Sequence, residues 1–184
     1  EDRKLDAVRD LVKQYVPVKP VPLNVKVEGN LQDMHFDDIQ ANIDGIGRLD
    51  GAVRMQGDDI SANVHGMLAG GDAIVDGKYN MDTETYDVVA SLKDFNVNKY
   101  VDLPEKTRLT GVVKAKGKGF DVYSPQTTIA ATADVRKGRY GKVDLSSIKA
   151  DVQLRKQMLD MNVSCDNAQL VTDFNLKGRL KKGV

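Results

Sequence analysis

The stretch Arg108–Gly119, RLTGVVKAKGKG, repeats a pattern that the chain already carries 60 residues earlier, as RLDGAVRMQG over Arg48–Gly57. Both segments read Arg-Leu-x-Gly-x-Val and continue with a basic residue, two further positions and a glycine. Apolar and polar residues alternate in both, which is typical of a β-strand with one apolar face and one solvated face. The pair predicts β structure that is built from a repeated sequence unit.

Two further blocks match at nearly the same offset. The segment Asp72–Asn80 resembles Ala133–Gly141, and Tyr86–Leu92 resembles Ile148–Leu154. A period of about 60 residues indicates a unit of several strands that cannot cover its own apolar face and continues that face by stacking. The sequence therefore predicts an elongated, repetitive β domain. Its predicted bounds are residues 23–184, with approximate repeats at 31–93 and 94–155 and a partial third repeat at 156–184.

Period-two alternation runs through this domain and predicts about ten strands, joined by short turns of Gly, Asp and Asn. The one clear interruption is Phe95–Thr107, FNVNKYVDLPEKT, which contains Pro104 and predicts a short helical turn and a loop. Gly117 and Gly119 are expected to mark a turn.

Residues 1–22 follow a different period. Apolar residues recur there at three- and four-residue steps, at Leu5, Val8, Leu11, Val12 and Tyr15. This spacing predicts an amphipathic helix that ends before Pro17, followed by an extended Pro-rich strut over Pro17–Pro22. The helix is expected either to pack against an end of the sheet or to act as a lid or membrane-surface helix, although its polar face carries charges of both signs.

The composition excludes several classes of protein. Lys and Arg number 27 and Asp and Glu number 27, so the chain lacks the basic excess of nucleic-acid-binding domains. No apolar run approaches the 18 residues of a membrane-spanning helix, and the single cysteine, Cys165, forms no internal disulfide. Because the chain begins at Glu1 without an initiator Met, we expect it to be part of a longer protein.

The glycine-lysine ending of Arg108–Gly119 does not match a phosphate-binding loop. That loop needs four residues between its glycines, then Lys and a Ser or Thr. Five residues separate Gly111 from Gly117 here, and Gly119 stands where the hydroxyl residue belongs.

No residue pattern points to catalysis or to a metal. His35 and His65 are the only histidines, and a zinc site needs three or four ligands. The pairs Asp37–Asp38 and Asp58–Asp59 are adjacent, so their side chains point to opposite faces of a strand, and turn chemistry accounts for them better. The sequence predicts no enzyme activity, no cofactor, and no metal or nucleotide site.

Many positions on the predicted apolar face carry small side chains. They are Ala41, Ala62, Ala90, Ala115, Ala131, Ala133 and Ala150, with glycines between them. Two architectures remain open: a thin, closed β-sandwich with a filled core, or a curved sheet whose apolar side stays open as a trough.

The residues from about Leu31 to Leu180 resemble the repeats of the AsmA-like superfamily, in particular its TamB-type members. In that family a phrase like Leu92-x-Asp94-Phe95-x-Val97 precedes a loop, a strand like LTGVVKAKGKG follows, and later strands end in a phrase like LKGRL. The matching positions in the two strands are Leu109, Gly111, Val113, Gly117 and Gly119, and then Leu145, Ile148 and Val152.

The resemblance implies a long, twisted, antiparallel-rich sheet folded into a taco-like groove with an apolar lining. It also implies a periplasmic location within a protein anchored in the inner membrane, transport of phospholipids to the outer membrane, and an outer-membrane barrel protein as partner. The residues that we expect to line the groove against acyl chains are Ile39, Ile43, Val53, Val64, Val88, Leu92, Val113, Ile129, Val135, Val152 and Val163.

Two alternatives remain. The chain could be a scaffold or chaperone module that receives strands of outer-membrane proteins at its sheet edges without binding lipid. It could also be a closed β-sandwich that serves only as a spacer.

Overall fold

The strands of the chain run nearly end to end. A computed structural model describes residues 23–30, 32–43, 47–68, 71–99 and 102–181. Within them lie β1 (Leu23–Asn30), β2 (Asp33–Ile43), β3 (Gly47–Gln56), β4 (Asp59–Leu68), β5 (Gly71–Asn80), β6 (Thr85–Asn96), β7 (Thr107–Lys118), β8 (Thr128–Tyr140), β9 (Val143–Asp144), β10 (Ile148–Arg155), β11 (Met158–Asp166) and β12 (Val171–Arg179).

All twelve strands belong to one open antiparallel sheet. Its order is β1-β2-β3-β4-β5-β6-β7-β8-β10-β11-β12, and the two-residue β9 pairs with β8 outside this path. Each long strand therefore lies beside its neighbour in sequence, as expected for short connections between alternating segments. The mainly-β prediction is confirmed, and the sheet is open, so the closed sandwich that the sequence left possible is not the architecture of the described residues.

The predicted interruption after β6 is confirmed. A single 3-10 turn covers Val97–Lys99, and residues 102–106 are outside any strand. The amide of Asn98 donates to the carbonyls of Leu103 and Glu105, at 3.2 and 2.8 Å. Its carbonyl oxygen accepts from the backbone N–H of Thr107 at 2.6 Å, which fixes the start of β7.

Three β-bulges keep apolar side chains on one face of the sheet. The register slips between Phe36 and Ile39 in β2, between Leu92 and Phe95 in β6, and near Arg136 in β8. An odd spacing would normally put two residues on opposite faces, and one inserted residue restores the alternation. Asp38 and Asp94 adopt left-handed φ values of 52° and 50° at the first two slips.

Two predictions about turns are wrong. Asp37 and Asp38 lie inside β2, because the sheet there needs a bulge and not a turn. Gly117 is also a strand residue, because β7 continues to Lys118, which pairs with Thr128. Asp58 does lie in the tight turn between β3 and β4.

The matched blocks have different surroundings. Gly51 and Gly111 make the same close approach to the next strand, where an added Cβ would stand 2.5 Å from the carbonyl oxygen of Asn63 and 2.2 Å from that of Asp134. Between β3 and β5 the chain forms β4, whereas the corresponding residues 119–127 between β7 and β8 form a loop. The sequence units at 31–93 and 94–155 therefore do not contain the same number of strands.

Few side chains in the described residues are buried. The buried apolar ones are Ala41, Ala73, Leu154 and Cys165, and Thr107 and Thr127 are the buried polar ones. A packed sandwich would bury most of one face of each strand, so the paucity of buried residues fits a sheet without a second layer. The predicted helix at the N-terminus and the Pro17–Pro22 strut lie outside the described residues.

Candidate functional site

One side of the sheet is almost entirely apolar. Residues directly opposite each other on neighbouring strands share a face, so the strand register traces rows of side chains across the sheet. The central row on this side reads Ile39, Gly51, Val64, Val75, Ala90, Val113, Ala133, Ala150, Val163 and Phe174. We call this side the apolar face. With strands about 4.8 Å apart, the row is about 43 Å long.

The strand register places ten of the eleven residues predicted to line a groove on the apolar face. Ile39, Val64, Val113 and Val163 stand in the central row, while Val53, Val88 and Val152 share the next row through Ala62, Gly77, Ala115 and Ala131. Leu92 and Val135 both pair with Gly111, Ile129 pairs with Gly117 and Leu154, and the backbone of Ile43 pairs with Gly47.

Nothing in the described part of the chain covers the apolar face. Val113 at its centre is 38% exposed, and Phe174 and Leu176 on β12 are 51% and 42% exposed. The other predicted lining residues whose side chains are described are half-buried by their own neighbours in the sheet. Large apolar surfaces left open on a soluble domain mark sites that meet another apolar surface.

Side-chain size varies along the strands of this face. The middle of β7 and β8 carries Gly111, Ala115, Ala131 and Ala133, which leave the sheet surface low. The row nearer the β5–β6 turn carries large residues, including Met55, Ile60, Tyr79 and Tyr86. The face is therefore shallow in the middle and raised at this end.

An aromatic cluster raises that end further. Phe120 follows β7 and stacks on Tyr86, with ring centroids 5.3 Å apart, and also approaches Tyr79 at 5.9 Å. The chain changes direction between β7 and Phe120 at Gly119, which has a φ of 70°. The N–H of Gly119 donates to the carbonyl of Glu84 at 3.0 Å. Burial raises the pKa of both tyrosine hydroxyls, and the nearby Glu84 carboxylate adds to the rise for Tyr79.

The opposite face is polar and carries ion pairs between strands. The Arg54 guanidinium donates to both carboxylate oxygens of Asp33, at 3.1 and 2.9 Å, and these bonds lower the pKa of Asp33. Lys177 pairs with Asp160 at 3.0 Å and lowers the pKa of that carboxyl in the same way. His35 and His65 both stand in strands on this face.

The described residues offer no group of three or more His, Cys, Asp or Glu side chains that could hold a metal ion. Nor do they include a helix with the length and apolarity needed to span a membrane.

Sequence reasoning missed several residues of the apolar face. Phe174 and Leu176 stand in the same rows as Val163 and Met161, and the alternation of β12 was the signal for them. Phe120 lies in a loop, so no periodicity could have assigned it to this face.

Comparison of the chain with protein-family models, with curated proteins and with solved structures gives no match.

Proposed function

We propose that the apolar face shields the acyl chains of phospholipids, and that the chain is a periplasmic segment of an AsmA/TamB-like protein anchored in the inner membrane. The observation that carries the proposal is the unbroken apolar face, which crosses the sheet from β2 to β12 and is left uncovered within the described residues. The sequence resemblance supports the assignment to this family, the periplasmic location and an outer-membrane barrel protein as partner.

The physical basis is the transfer of acyl chains from water to an apolar wall. Burial is worth about 0.8 kcal/mol per CH₂, so full burial of a palmitoyl chain with about 14 CH₂ groups yields roughly 11 kcal/mol. A single open wall covers about half of the chain and yields roughly half of that value. In our proposal the sheet curves around the chain, which increases the covered fraction, and continuation of the rows from strand to strand makes the site a track.

The side-chain sizes support this use of the face. Gly111, Ala115, Ala131 and Ala133 leave space above β7 and β8 for an acyl chain. The cluster of Phe120, Tyr79 and Tyr86 bounds that space at one end. Transport between the inner and outer membranes, and support of outer-membrane biogenesis, would follow from passage of lipid along this track.

A pair of adjacent valines allows a matched test. Val113 lies on the apolar face and Val112 on the polar face, where it stands opposite Ser91 and Asp134. The purified chain is incubated with a photo-crosslinkable phospholipid, and the cross-linked residues are mapped by mass spectrometry. We expect cross-links on apolar-face residues, their loss in Val113→Asp, and their retention in Val112→Asp, because a carboxylate against an acyl chain is costly.

The control accounts for unfolding. Val113 is 38% exposed and Val112 is half-buried, so Val113→Asp should cost about 1–2 kcal/mol of folding free energy and Val112→Asp somewhat more. Equal loss of cross-links in both variants, or cross-links spread over both faces, would remove the support for an acyl-binding face.

A second function is favoured by the free edge of β12. Leu180 donates its N–H to the carbonyl of Gln157, and the carbonyl of Leu170 accepts from Asn167. The backbone N–H and C=O groups of even-numbered residues in β12 therefore bond to β11. Those of odd-numbered residues, such as Asp173, point away from the sheet. We propose as the alternative that this edge receives a strand of an outer-membrane protein by β-augmentation, as a scaffold without lipid binding.

Proline substitution separates the two functions. Asp173→Pro removes an outward N–H while leaving the bonds to β11 in place. A scaffold predicts that this variant loses strand capture and that Val113→Asp keeps it. The measurement is pull-down of a synthetic peptide with the sequence of an outer-membrane barrel strand, and unchanged capture by Asp173→Pro would exclude this edge.

A further inference from the structure

The polar face carries an open hollow of about 1250 Å³ at the end of β6, β7 and β8 that is nearer Asn98. We call it the basic hollow, because its lining includes six cationic side chains: Lys93, Lys106, Arg108, Arg136, Lys137 and Arg139. These residues come from three adjacent strands and the loop before β7, and are brought together by the β6 and β8 bulges.

The basic hollow has an excess of positive charge that the chain as a whole does not have. Its six cationic side chains face three carboxylates, those of Asp72, Asp94 and Asp144, which leaves a net charge of +3. The complete sequence is balanced at 27 positive and 27 negative residues. Positive charge is therefore concentrated locally, both here and in a second open hollow, also of net charge +3, at the other end of these strands.

Two of the three carboxylates are already engaged. The carboxylate of Asp94 accepts from Arg108 at 2.5 Å. The carboxylate of Asp144 accepts from the backbone N–H of Ser146 at 2.8 Å and from its hydroxyl at 3.0 Å. These bonds fix the bulge and the turn. Asp94 also partly neutralises Arg108, and Asp144 lies close enough to Arg139 to attract it, so the uncompensated charge of the hollow rests mainly on its lysines and Arg136.

Two arginines stand directly opposite each other in the basic hollow. Arg108 on β7 pairs with Arg139 on β8, and Thr110 pairs with Lys137 beside them. Like charges at directly opposed positions of a sheet are destabilising. A concave surface lined by one sign of charge also concentrates ions of the opposite sign.

We propose that the basic hollow binds a ligand that carries phosphate groups. Guanidinium and ammonium groups bind phosphate oxygens. Arg139 and Lys137 on β8 present such groups, and Arg108, which already pairs with Asp94, adds positive charge beside them on β7. The Thr110 hydroxyl accepts from the N–H of Asp94 at 2.9 Å and keeps its own hydrogen for a phosphate oxygen. The site lies on the opposite face from the acyl track and does not depend on it.

The acidic part of the same face provides a contrast. Another open hollow, of about 570 Å³, is lined by Asp134, Asp151 and Asp173 against the single cation Lys149. A phosphate ligand should avoid it, so Lys149 is a suitable control position. Lys114 on β7 is a second one, because it is exposed on the polar face outside the basic hollow.

The experiment compares two double variants of equal charge in the full chain. Arg139→Gln with Lys137→Gln removes two positive charges from the basic hollow. Lys114→Gln with Lys149→Gln removes two positive charges elsewhere on the polar face. Binding of pyrophosphate is measured by calorimetry in 50 mM NaCl, and binding of phosphatidylcholine vesicles with and without 20% phosphatidylglycerol by flotation. Circular dichroism checks that each variant keeps its β structure.

We expect saturable binding that the first double variant weakens at least about tenfold and the second less than about twofold. Binding of pyrophosphate alone identifies a free phosphate ligand, and binding of phosphatidylglycerol vesicles alone identifies a lipid headgroup. Absence of both kinds of binding, or equal weakening by the two double variants, would overturn the proposal. Val113→Asp should leave pyrophosphate binding unchanged, which separates this result from the acyl-binding test.

Discussion

Replacement of Gly111 by alanine tests why the repeated motif keeps its glycine. A Cβ at this position would stand 2.2 Å from the carbonyl oxygen of Asp134 and 3.0 Å from the Cα of Val135. Ordinary contact begins near 3.4 Å, so β8 would have to move away from β7 by about 1 Å. Such overpacking destabilises the folded state by about 1–3 kcal/mol. Alanine leaves the unfolded chain less conformational entropy than glycine does, which offsets roughly 0.4–1 kcal/mol of this loss.

The assay is urea unfolding followed by circular dichroism, with Gly178→Ala as control. Gly178 on β12 has no atom within 4 Å of its added Cβ, so its substitution should be neutral or stabilising by about 0.5 kcal/mol. We expect Gly111→Ala to lower the midpoint by roughly 0.5–1 M urea. Gly51→Ala, with a distance of 2.5 Å to the carbonyl oxygen of Asn63, should behave likewise. If Gly111→Ala unfolds at the same urea concentration as Gly178→Ala, the close approach of β7 and β8 is refuted.

Three further predictions concern a turn, a carboxylate and the aromatic cluster. Lys156 lies in the two-residue turn between β10 and β11 with a φ of 49°. Because Asn tolerates this conformation better than Lys, Lys156→Asn should raise the melting temperature by about 2–4 °C in calorimetry. An unchanged melting temperature would argue against that backbone geometry. The hydrogen bonds that Asp144 accepts from Ser146 lower the pKa of its carboxyl. The stability that they contribute is therefore full above about pH 4 and is lost as the pH falls through the lowered pKa. Asp144→Asn should flatten the fall in melting temperature between pH 5 and pH 2, and an equally steep fall would count against this contribution. Phe120→Ala should bring the raised pKa of Tyr86 back toward its usual range in an alkaline absorbance titration, because the stacked ring excludes water; a titration identical to that of the unaltered chain would show that the stack is absent in solution.

The alternation of side chains made the strands and the apolar face predictable. Ten of the eleven residues proposed from sequence share one face because each stands at every second position of a strand. The spacing of three between Phe36 and Ile39, with two Asp residues between them, is a sign of a bulge that the sequence contains, and the structure places Asp38 in the left-handed region. Adjacent Asp residues suit turns as well, so the sequence alone does not separate a bulge from a turn here.

Other features depended on contacts that no local pattern encodes. Gly117 was expected in a turn, but pairing of Lys118 with Thr128 extends β7 past it. The basic hollow arises because β6 and β8 bring Lys93, Lys137 and Arg139 beside Arg108, and these residues are far apart in sequence. The two copies of the matched block around Tyr79 and Tyr140 also have different strand neighbours, since β5 pairs with β4 whereas β8 pairs with β7.

The most direct measurement of the central claim is native mass spectrometry of the purified chain, with extraction and identification of any bound lipid. Our account predicts phospholipid bound to the unaltered chain and to Val112→Asp, and its absence from Val113→Asp. A lipid-free chain that also fails to take up added phospholipid would contradict an acyl-binding face and would favour the strand-receiving edge of β12.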